Sequence, residues 1–507
     1  MTAVQERPAD TRAGKREWWG LAVLMLPVLL ISIDNNVLSF AIPSLSRALA
    51  PSGTQLLWIV DIYALVLAGL LVPMGSLGDR IGRRRVLMIG SVGFGVMSLV
   101  AAFAPSASML ILARALMGVF GAMLMPATLS LIRNIFTVPS QRRVAVAIWA
   151  AGFSGGAALG PIVGGVLLEN FWWGSVFLLS IPVLLPLLVF GPRLLPESKD
   201  PSPGAVDVPG VLLVMGAMLS ITYGIKSFAS DGAAHGLPFI LLGLVLGTLF
   251  VRRQLSREKP MLDVRLFRNP VFTGSISANL LSLFAMVGFI FFLSQHLQLV
   301  VGQSPIEAGL TMLPGLVLTV ITGLAVVPLV KHLRPAYVVV GGLLFNAAGY
   351  AVVFFAGETV TVLQLVVAFL FLGVGVGAAE TISNDLILAS VPPSRAGSAS
   401  AISETAYEIG SVLGTAVLGS ILTAAYRNGV QVPAGLSPEQ AESAGETLGG
   451  AVDAVQALPP EQGSALLHSA QAAFDSGVSI TSLIGVVIML AAAAGAGLLL
   501  RKAPAGH

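Results

Sequence analysis

The sequence contains no cysteine and unusually little charge. Only 10% of its residues are charged, whereas ordinary soluble domains carry about 25%, so the chain lacks the polar surface that a soluble body of 507 residues needs. The absence of cysteine excludes disulfides, thiol catalysis and cysteine-ligated metals. The five histidines have no metal-ligand spacing, and no G-x-x-x-x-G-K-[ST] loop is present. The sequence therefore predicts no enzyme activity, no cofactor and no metal site.

Apolar residues are abundant instead, at 55% of the chain with a mean hydropathy of +0.89. Long apolar runs recur, each close to the roughly 20 residues that cross a bilayer. Because lipid offers no hydrogen-bond partner to the backbone, these runs predict helices. The pattern predicts an all-α polytopic membrane protein with 14 transmembrane spans, near residues 20–42, 56–76, 86–104, 108–132, 145–167, 174–192, 209–228, 236–252, 271–293, 307–329, 337–356, 361–389, 399–424 and 478–500.

The basic residues separate between the two faces of this predicted topology. Of the 28 Lys and Arg, 24 fall in terminal segments and loops that an even span count places on one face. Arg114 lies inside a span, and the other face holds only Arg47, Lys226 and Arg427. The positive-inside rule then predicts that both termini are cytoplasmic.

The spans also predict an internal organisation. Spans 1–6 and 9–14 indicate two six-helix halves around a central cavity, with spans 7 and 8 as an inserted pair. Residues 426–476 carry two amphipathic segments joined at Pro459-Pro460, which predict an ordered extracellular hairpin between spans 13 and 14. The predicted order is a cytoplasmic tail (1–19), an N-terminal bundle (20–192), a linker with the inserted helices (193–252), a cytoplasmic loop (253–270), a C-terminal bundle (271–500) and a cytoplasmic tail (501–507).

Carboxylates inside the predicted spans are the candidate functional groups. A carboxylate at bilayer depth is costly unless it faces a cavity, holds a proton or meets a cation. Glu404 and Glu408 are four residues apart and share a helix face, and two like charges in a low dielectric do not both ionise readily. Six acids against one base, Arg114, favour cationic substrates over anionic ones; the acids are Asp34, Asp61, Glu380, Asp385, Glu404 and Glu408.

Three motifs resemble those of a known family. "GSLGDRIGRRRVL", between spans 2 and 3, resembles the G-x-L-a-D-r-x-G-r-k signature of the major facilitator superfamily. "LILARALMGVFGA" in span 4 is similar to the motif that carries an intramembrane arginine, with Met117 in place of the usual glutamine. "GGAALGPIVGG" in span 5 resembles the motif of antiporters, although its glycine ridge also suits plain helix packing. The matching residues are Gly75, Gly78, Asp79, Arg80, Gly82, Arg83 and Arg84 in the first (gating) motif, and Gly152, Gly156, Gly160, Pro161, Gly164 and Gly165 in the third (antiporter) motif.

Fourteen spans and these motifs make the chain similar, over essentially its whole length, to the 14-span drug:proton antiporters of the QacA, LfrA and SmvA type. The resemblance implies the major facilitator fold and export of lipophilic organic cations, such as quaternary ammonium compounds, dyes and biocides, in exchange for protons across a bacterial cell (inner) membrane. It implies that Arg114 serves proton coupling or acts as a structural charge, and that proton or cation is carried by Asp34, Asp61, Glu404 and Glu408.

Some residues depart from this family pattern. Asn35-Asn36 stand where D-x-T is more usual, span 10 lacks the acid that the subgroup sometimes carries, and Glu380 has no clear equivalent, so it is interpreted as an extra cation site. Asp61 allows a hydrated, structural role, and Asp385 a solvated one. The aromatic residues expected to line a substrate pocket are Trp58, Tyr63 and Tyr407.

Two other functions remain open at the level of the sequence. One is a narrow-specificity exporter of a single antibiotic or metabolite with the same fold, and the other is a non-transporting membrane receptor. The expected partners are cationic small molecules, protons and the lipid bilayer, without nucleic acid, and the protein is expected to be a monomer.

Overall fold

The computed structural model describes residues 12–199, 207–258, 260–330, 332–357, 360–392 and 395–502. Within these ranges the regular structure is helical and no strand is present. Residues 1–11 of the predicted N-terminal tail and 503–507 of the C-terminal tail lie outside the described ranges.

The described helices follow the predicted spans closely. In chain order they are α1 (Lys15–Leu49), α2 (Gly53–Ile81), α3 (Arg83–Ala102), α4 (Ala107–Ile135), α5 (Pro139–Asn170), α6 (Ser175–Leu194), α7 (Val208–Asp231), α8 (Ala233–Ser256), α9 (Pro270–Val300), α10 (Pro305–Leu329), α11 (Pro335–Ala356), α12 (Val362–Ala389), α13 (Ser398–Gly429), α14 (Pro438–Glu446), α15 (Leu448–Ala454) and α16 (Pro460–Leu499).

By length and hydropathy, 13 of these described helices can cross a membrane. Helix α5 has 32 residues. Among the described residues, the apolar part of this helix is Leu159–Asn170, which is shorter than a membrane span. The predicted all-helical membrane architecture is confirmed, whereas the count of 14 spans stays a prediction.

Local sequence signals explain where several helices begin and end. Ser52, Ser304 and Thr361 precede α2, α10 and α12, and each side-chain oxygen accepts a hydrogen bond from a backbone N–H of the first turn. These caps satisfy donors that have no partner within the helix. Helix α2 ends at Gly82, whose φ of 119° lies in the region that favours glycine, and α3 begins at the next residue.

The glycine ridge of α5 packs against α1. A Cβ added at Gly156 would lie 2.8 Å from the Cβ of Ser32, and one at Gly160 would lie 2.9 Å from the Cβ of Asn36. Side chains at these glycines would force the helices apart, so the ridge allows α5 to approach the helix that carries Asp34.

The two helical halves contact each other through several helix pairs, including α5 with α10 and α2 with α13. We call the face that carries Lys15 and Leu499 the basic face and the opposite face the far face. Toward the far face, Ser294 of α9 donates a 2.7 Å hydrogen bond to the carbonyl of Ser39 in α1. A Cβ added at Gly309 of α10 would lie 2.7 Å from the carbonyl oxygen of Pro161 in α5. These contacts close the far side of the interface between the halves.

The segment between α13 and α16 is ordered, but its second helix differs from the prediction. Helices α14 and α15 both lie in the first predicted segment, separated at Thr447. Pro460 starts α16, which continues for 40 residues through the last span, because proline suits the first helical turn. A carboxylate oxygen of Glu446 accepts a hydrogen bond from the backbone N–H of Gly53 at 2.9 Å, so this segment covers the end of α2. Its extracellular location stays a prediction.

Candidate functional site

Asp34 of α1 and Arg114 of α4 form a buried ion pair. A guanidinium nitrogen lies 2.7 Å from Asp34 Oδ2, and the two side chains are 2% (Arg114) and 6% (Asp34) exposed. Arg114 Nε also donates to the carbonyl of Ile59 at 3.2 Å, and the guanidinium carbon lies 4.6 Å from the centre of the Tyr63 ring. The arginine therefore has a carboxylate, a carbonyl and an aromatic face as partners, as an intramembrane base requires.

Asp61 of α2 forms a second buried pair with Lys226 of α7. The Nζ atom lies 2.9 Å from Asp61 Oδ2, and the side chains are 0% (Lys226) and 1% (Asp61) exposed. The same ammonium lies 4.1 Å from the centre of the Trp58 ring. Placing Lys226 among the charges of the far face was wrong, and the hydrated role allowed for Asp61 is excluded by its burial.

The ratio of six intramembrane acids to one base is therefore wrong, since Lys226 is a second base at bilayer depth. Sequence reasoning missed it because Lys226 lies near the end of its predicted span, where snorkelling to water is the ordinary expectation for lysine. Asp61, an acid at the same predicted depth in span 2, is the signal from which a partner for Lys226 could have been inferred.

Three glutamates differ from Asp34 and Asp61 in their ion-pair partners. Glu380 of α12 and Glu404 and Glu408 of α13 form no ion pair with a basic side chain within the described residues. Glu408 is 5% exposed, and the other two are half-buried. Asp385, by contrast, is exposed, which agrees with the solvated role expected for it.

The surroundings of the glutamates are polar, and Arg133 of α4 acts electrostatically on Glu404 without forming an ion pair with it among the described residues. Asn279 of α9 donates to the hydroxyl of Ser403 at 3.2 Å, and that hydroxyl donates to Asn384 at 2.8 Å. Tyr407 lies within electrostatic range of both Glu380 and Glu408. A carboxylate in such a place must take a proton, water or a bound cation to offset its desolvation. The acidic surface of α12 and α13 is therefore the candidate cation site.

The three aromatic residues predicted for a substrate pocket have different neighbours. The rings of Trp58 and Tyr63 pack on Lys226 and Arg114, and Tyr63 is 0% exposed. Tyr407 is half-buried beside the glutamates. Tyr407 interacts electrostatically with Glu380 and Glu408, and Tyr63 interacts with Glu408.

The predicted gating motif forms a compact turn on the basic face. Asp79 accepts hydrogen bonds from Arg83, with a shortest distance of 2.8 Å, while Arg80 is exposed. Glu197, which follows α6, accepts from the backbone N–H of Arg84 at 3.1 Å. Sequence reasoning missed Glu197, although it is an acid in the short linker that the topology places on the same face.

A further buried pair joins α9 and α16, the first and last helices of the second half. His296 Nδ1 in α9 lies 3.1 Å from Asp475 Oδ1 in α16. Sequence reasoning missed it because Asp475 falls in the predicted outer segment, where an acid is expected to be solvated.

A helical bundle in which 13 described helices are long and apolar enough to cross a membrane, and which buries acids between them, is the architecture of a membrane transporter. The family model described as Major Facilitator Superfamily matches residues 24–415, and the chain belongs to this superfamily. It is therefore a multi-pass membrane protein.

Curated relatives and solved structures agree with this assignment. The chain is 55% identical to the multidrug efflux pump LfrA of Mycolicibacterium smegmatis, covering 99% of this chain and 100% of that protein. It is 37% identical to the methyl viologen resistance protein SmvA of Salmonella typhimurium, covering 94% and 97%. A bacterial homologue of the human lysosomal transporter Spinster, in an inward-facing and unoccupied conformation, superposes with a TM-score of 0.66 at 20% identity over 97% and 98% of the two chains. This last likeness shows the fold alone.

Proposed function

We propose that this protein is a proton-driven multidrug efflux antiporter that exports lipophilic organic cations across a bacterial inner membrane and so confers drug resistance. The resemblance to a multidrug efflux pump and to a methyl viologen resistance protein supports the class of cargo. The observation that carries the proposal is the unequal pairing of the acids. Asp34 and Asp61 have basic partners, whereas the glutamates of α12 and α13 have none within the described residues.

The glutamates Glu380, Glu404 and Glu408 are the proposed exchange site. A bound organic cation favours the ionised carboxylate, and a proton favours the neutral one. The two ligands therefore exclude each other, which is the minimum requirement for antiport. Tyr407, within electrostatic range of Glu380 and Glu408, offers a ring face for a cation.

The arrangement of the halves supports alternating access. Contacts such as the bond from Ser294 to Ser39 join the halves toward the far face, which supports a state that is closed there. The positive-inside rule supports a cytoplasmic basic face, with both termini inside. In this state the glutamates take cargo from the cytoplasm, and separation of the far-face contacts then releases it outside.

Ethidium transport in inverted membrane vesicles tests the proposal. With the cytoplasmic face outward, an acidic lumen is expected to drive ethidium uptake by the wild type. Single Gln variants at the three glutamates are expected to reduce it, whereas Asp385→Asn, at an exposed acid of α12, is the matched control and is expected to transport normally. Uptake that ignores the pH gradient contradicts the proposal, and movement of only one compound of a chemically varied panel indicates a narrow-specificity exporter instead.

A further inference from the structure

Three polar side chains from three helices of the second half form a hydrogen-bonded group, which we call the polar cluster. Its members are Asn279 of α9, Asn384 of α12 and Ser403 of α13. The hydroxyl of Ser403 donates to Asn384 Oδ1 at 2.8 Å. The amide of Asn279 donates to the Ser403 hydroxyl at 3.2 Å and to Asn384 Oδ1 at 3.4 Å. Each of the three helices is therefore tied to both of the others.

Stability alone does not explain the polar cluster. Asn279 is 1% exposed and Ser403 is 8% exposed, and the Oδ1 atom of Asn279 is buried without a hydrogen-bond partner among the described residues. A buried acceptor without a partner is costly, and apolar side chains of the same shape would pack here without that cost. Hydrogen bonds between buried side chains do, however, fix one relative placement of their helices, because each bond requires its own distance and angle.

The polar cluster lies one helical turn from Glu380 and Tyr407, on the side of the basic face. Asn384 follows Glu380 by four residues in α12, and Ser403 precedes Tyr407 by four residues in α13. Residues four apart share a helix face. Because α12 runs toward the basic face and α13 runs away from it, the hydrogen bond between the two helices places Glu380 opposite Tyr407 one turn farther along. The electrostatic interaction of these two residues agrees with this register.

The same bond sets where α13 presents its own glutamates. Glu404 follows Ser403 directly in the chain, and Glu408, one turn beyond, interacts electrostatically with Glu404. Arg133 of α4 acts on Glu404 but forms no ion pair with it within the described ranges. Two helices therefore present carboxylates without an ion-pair partner to one site. A bound cation with a single charge leaves carboxylate charge there uncompensated, whereas a dication can meet both helices.

We propose that Asn279, Asn384 and Ser403 are positioning residues of the exchange site. They hold Glu380 at a fixed separation from the glutamates of α13, and this separation favours organic cations that carry two positive charges. A cation with one charge can follow a single carboxylate, whereas a dication needs both helices in the correct place at once. This inference rests on the proposed function, because it names the cargo that the exchange site prefers.

Two cations of nearly the same shape test the inference. Methyl viologen carries two positive charges, and N-methyl-phenylpyridinium carries one. Displacement of ethidium from the purified protein, followed by fluorescence, measures the affinity for each. The wild type is expected to bind methyl viologen more tightly. Ser403→Ala breaks the polar cluster and is expected to lower the affinity for methyl viologen by about tenfold, as loss of one charge contact would, while the affinity for N-methyl-phenylpyridinium stays close to its original value.

Two further serine variants separate positioning from general loosening of the fold. Ser403→Thr keeps the hydroxyl and is expected to keep the preference for methyl viologen. Ser275→Ala is the matched control, because Ser275 is buried in α9 one turn from Asn279 and its hydroxyl has no hydrogen-bond partner among the described residues; both affinities are expected to stay unchanged. The inference is overturned by a wild type without the preference, by an equal loss for both cations in Ser403→Ala, by loss of the preference in Ser403→Thr, or by a selective loss in Ser275→Ala.

If Ser403→Ala does not fold, Asn279→Leu decides, because leucine fills a similar volume and removes only the bonds that α9 makes to the cluster. The same selective loss for methyl viologen is expected, and affinities that are unchanged or equally reduced overturn the inference. All of these outcomes leave the proposed antiport intact. Absence of ethidium uptake driven by a pH gradient in wild-type vesicles, in contrast, overturns the proposed function.

Discussion

Arg114 and Asp34 lie 2.7 Å apart in the buried interior of the first half, and neither forms a second ion pair within the described residues. The pair of Lys226 and Asp61 repeats this arrangement at 2.9 Å. The buried aspartates of the first half therefore have basic partners, whereas the glutamates of α12 and α13 form no ion pair with a base among the described residues. This asymmetry supports the proposal that cations bind in the second half.

Breaking the Asp34–Arg114 pair is expected to destabilise the protein strongly. Asp34→Asn or Arg114→Met leaves one buried charge without a partner, which costs about 3–5 kcal/mol. The double variant D34N/R114M removes both charges and is expected to recover most of this loss. Thermal unfolding of the three purified variants in detergent measures the effect. Equal melting temperatures for the wild type and Asp34→Asn contradict the assignment of a buried pair.

The sequence predicted the helices well because the bilayer imposes one length and one composition on every span. The orientation read from the charged loops stays a prediction, whereas the glycine ridge at Gly156 and Gly160 followed from spacing alone. The helix after Pro460 was predicted too short, since amphipathic and apolar segments can continue in one helix without a break.

Side-chain partners were harder to predict than helices. Lys226 and Asp61 are far apart in the sequence, and only the packing of α7 against α2 brings them together. Periodicity along one helix cannot show which face of another helix it meets. The same limit concealed the pair of His296 and Asp475 and the contact of Glu197 with Arg84.

Neutral variants of the second-half acids are expected to weaken cation binding selectively. Glu404→Gln or Glu408→Gln removes one carboxylate from the site, and the affinity for ethidium is expected to fall by about tenfold. A neutral lipophilic dye bound to the same purified protein serves as the control ligand and is expected to bind with unchanged affinity. Fluorescence titration measures both. An equal loss of affinity for the neutral dye would indicate a disturbed pocket, contrary to a charge-specific site.

Closure of the far face is expected to depend on the glycine of α10 that meets α5. Gly309→Ala places a methyl group 2.7 Å from the carbonyl oxygen of Pro161, which is too close, so the contact between the halves must open. The chain has no cysteine, and Asn36→Cys therefore supplies a single reactive site in α1. Its labelling from the far face by an impermeant thiol reagent is expected to increase when Gly309→Ala is added.

The matched control for this experiment is Gly274→Ala. An added Cβ there meets Leu499 at 2.9 Å, which is a contact within the second half. Labelling of Asn36→Cys is expected to stay at the original rate in this background. An equal increase from both alanine variants would show general loosening, and no increase from Gly309→Ala would show that the α5–α10 contact does not close the far face.

Asp207, at the start of α7 on the basic face, is expected to make stability depend on pH. Hydrogen bonds from Arg253, the shortest at 2.7 Å, hold the pKa of the Asp207 carboxyl below its usual value. A carboxylate with a lowered pKa in the folded state stabilises it above the unfolded pKa of about 3.9, and this contribution is lost as the pH falls through the folded pKa. Asp207→Asn is therefore expected to lower the melting temperature at pH 7, by the equivalent of about 2 kcal/mol for a charged hydrogen bond. The difference from the wild type is expected to vanish in acid, while Asp453→Asn, at an exposed acid of α15, changes neither value. A difference that persists in acid would show that the asparagine acts through packing and that the charge of Asp207 contributes nothing.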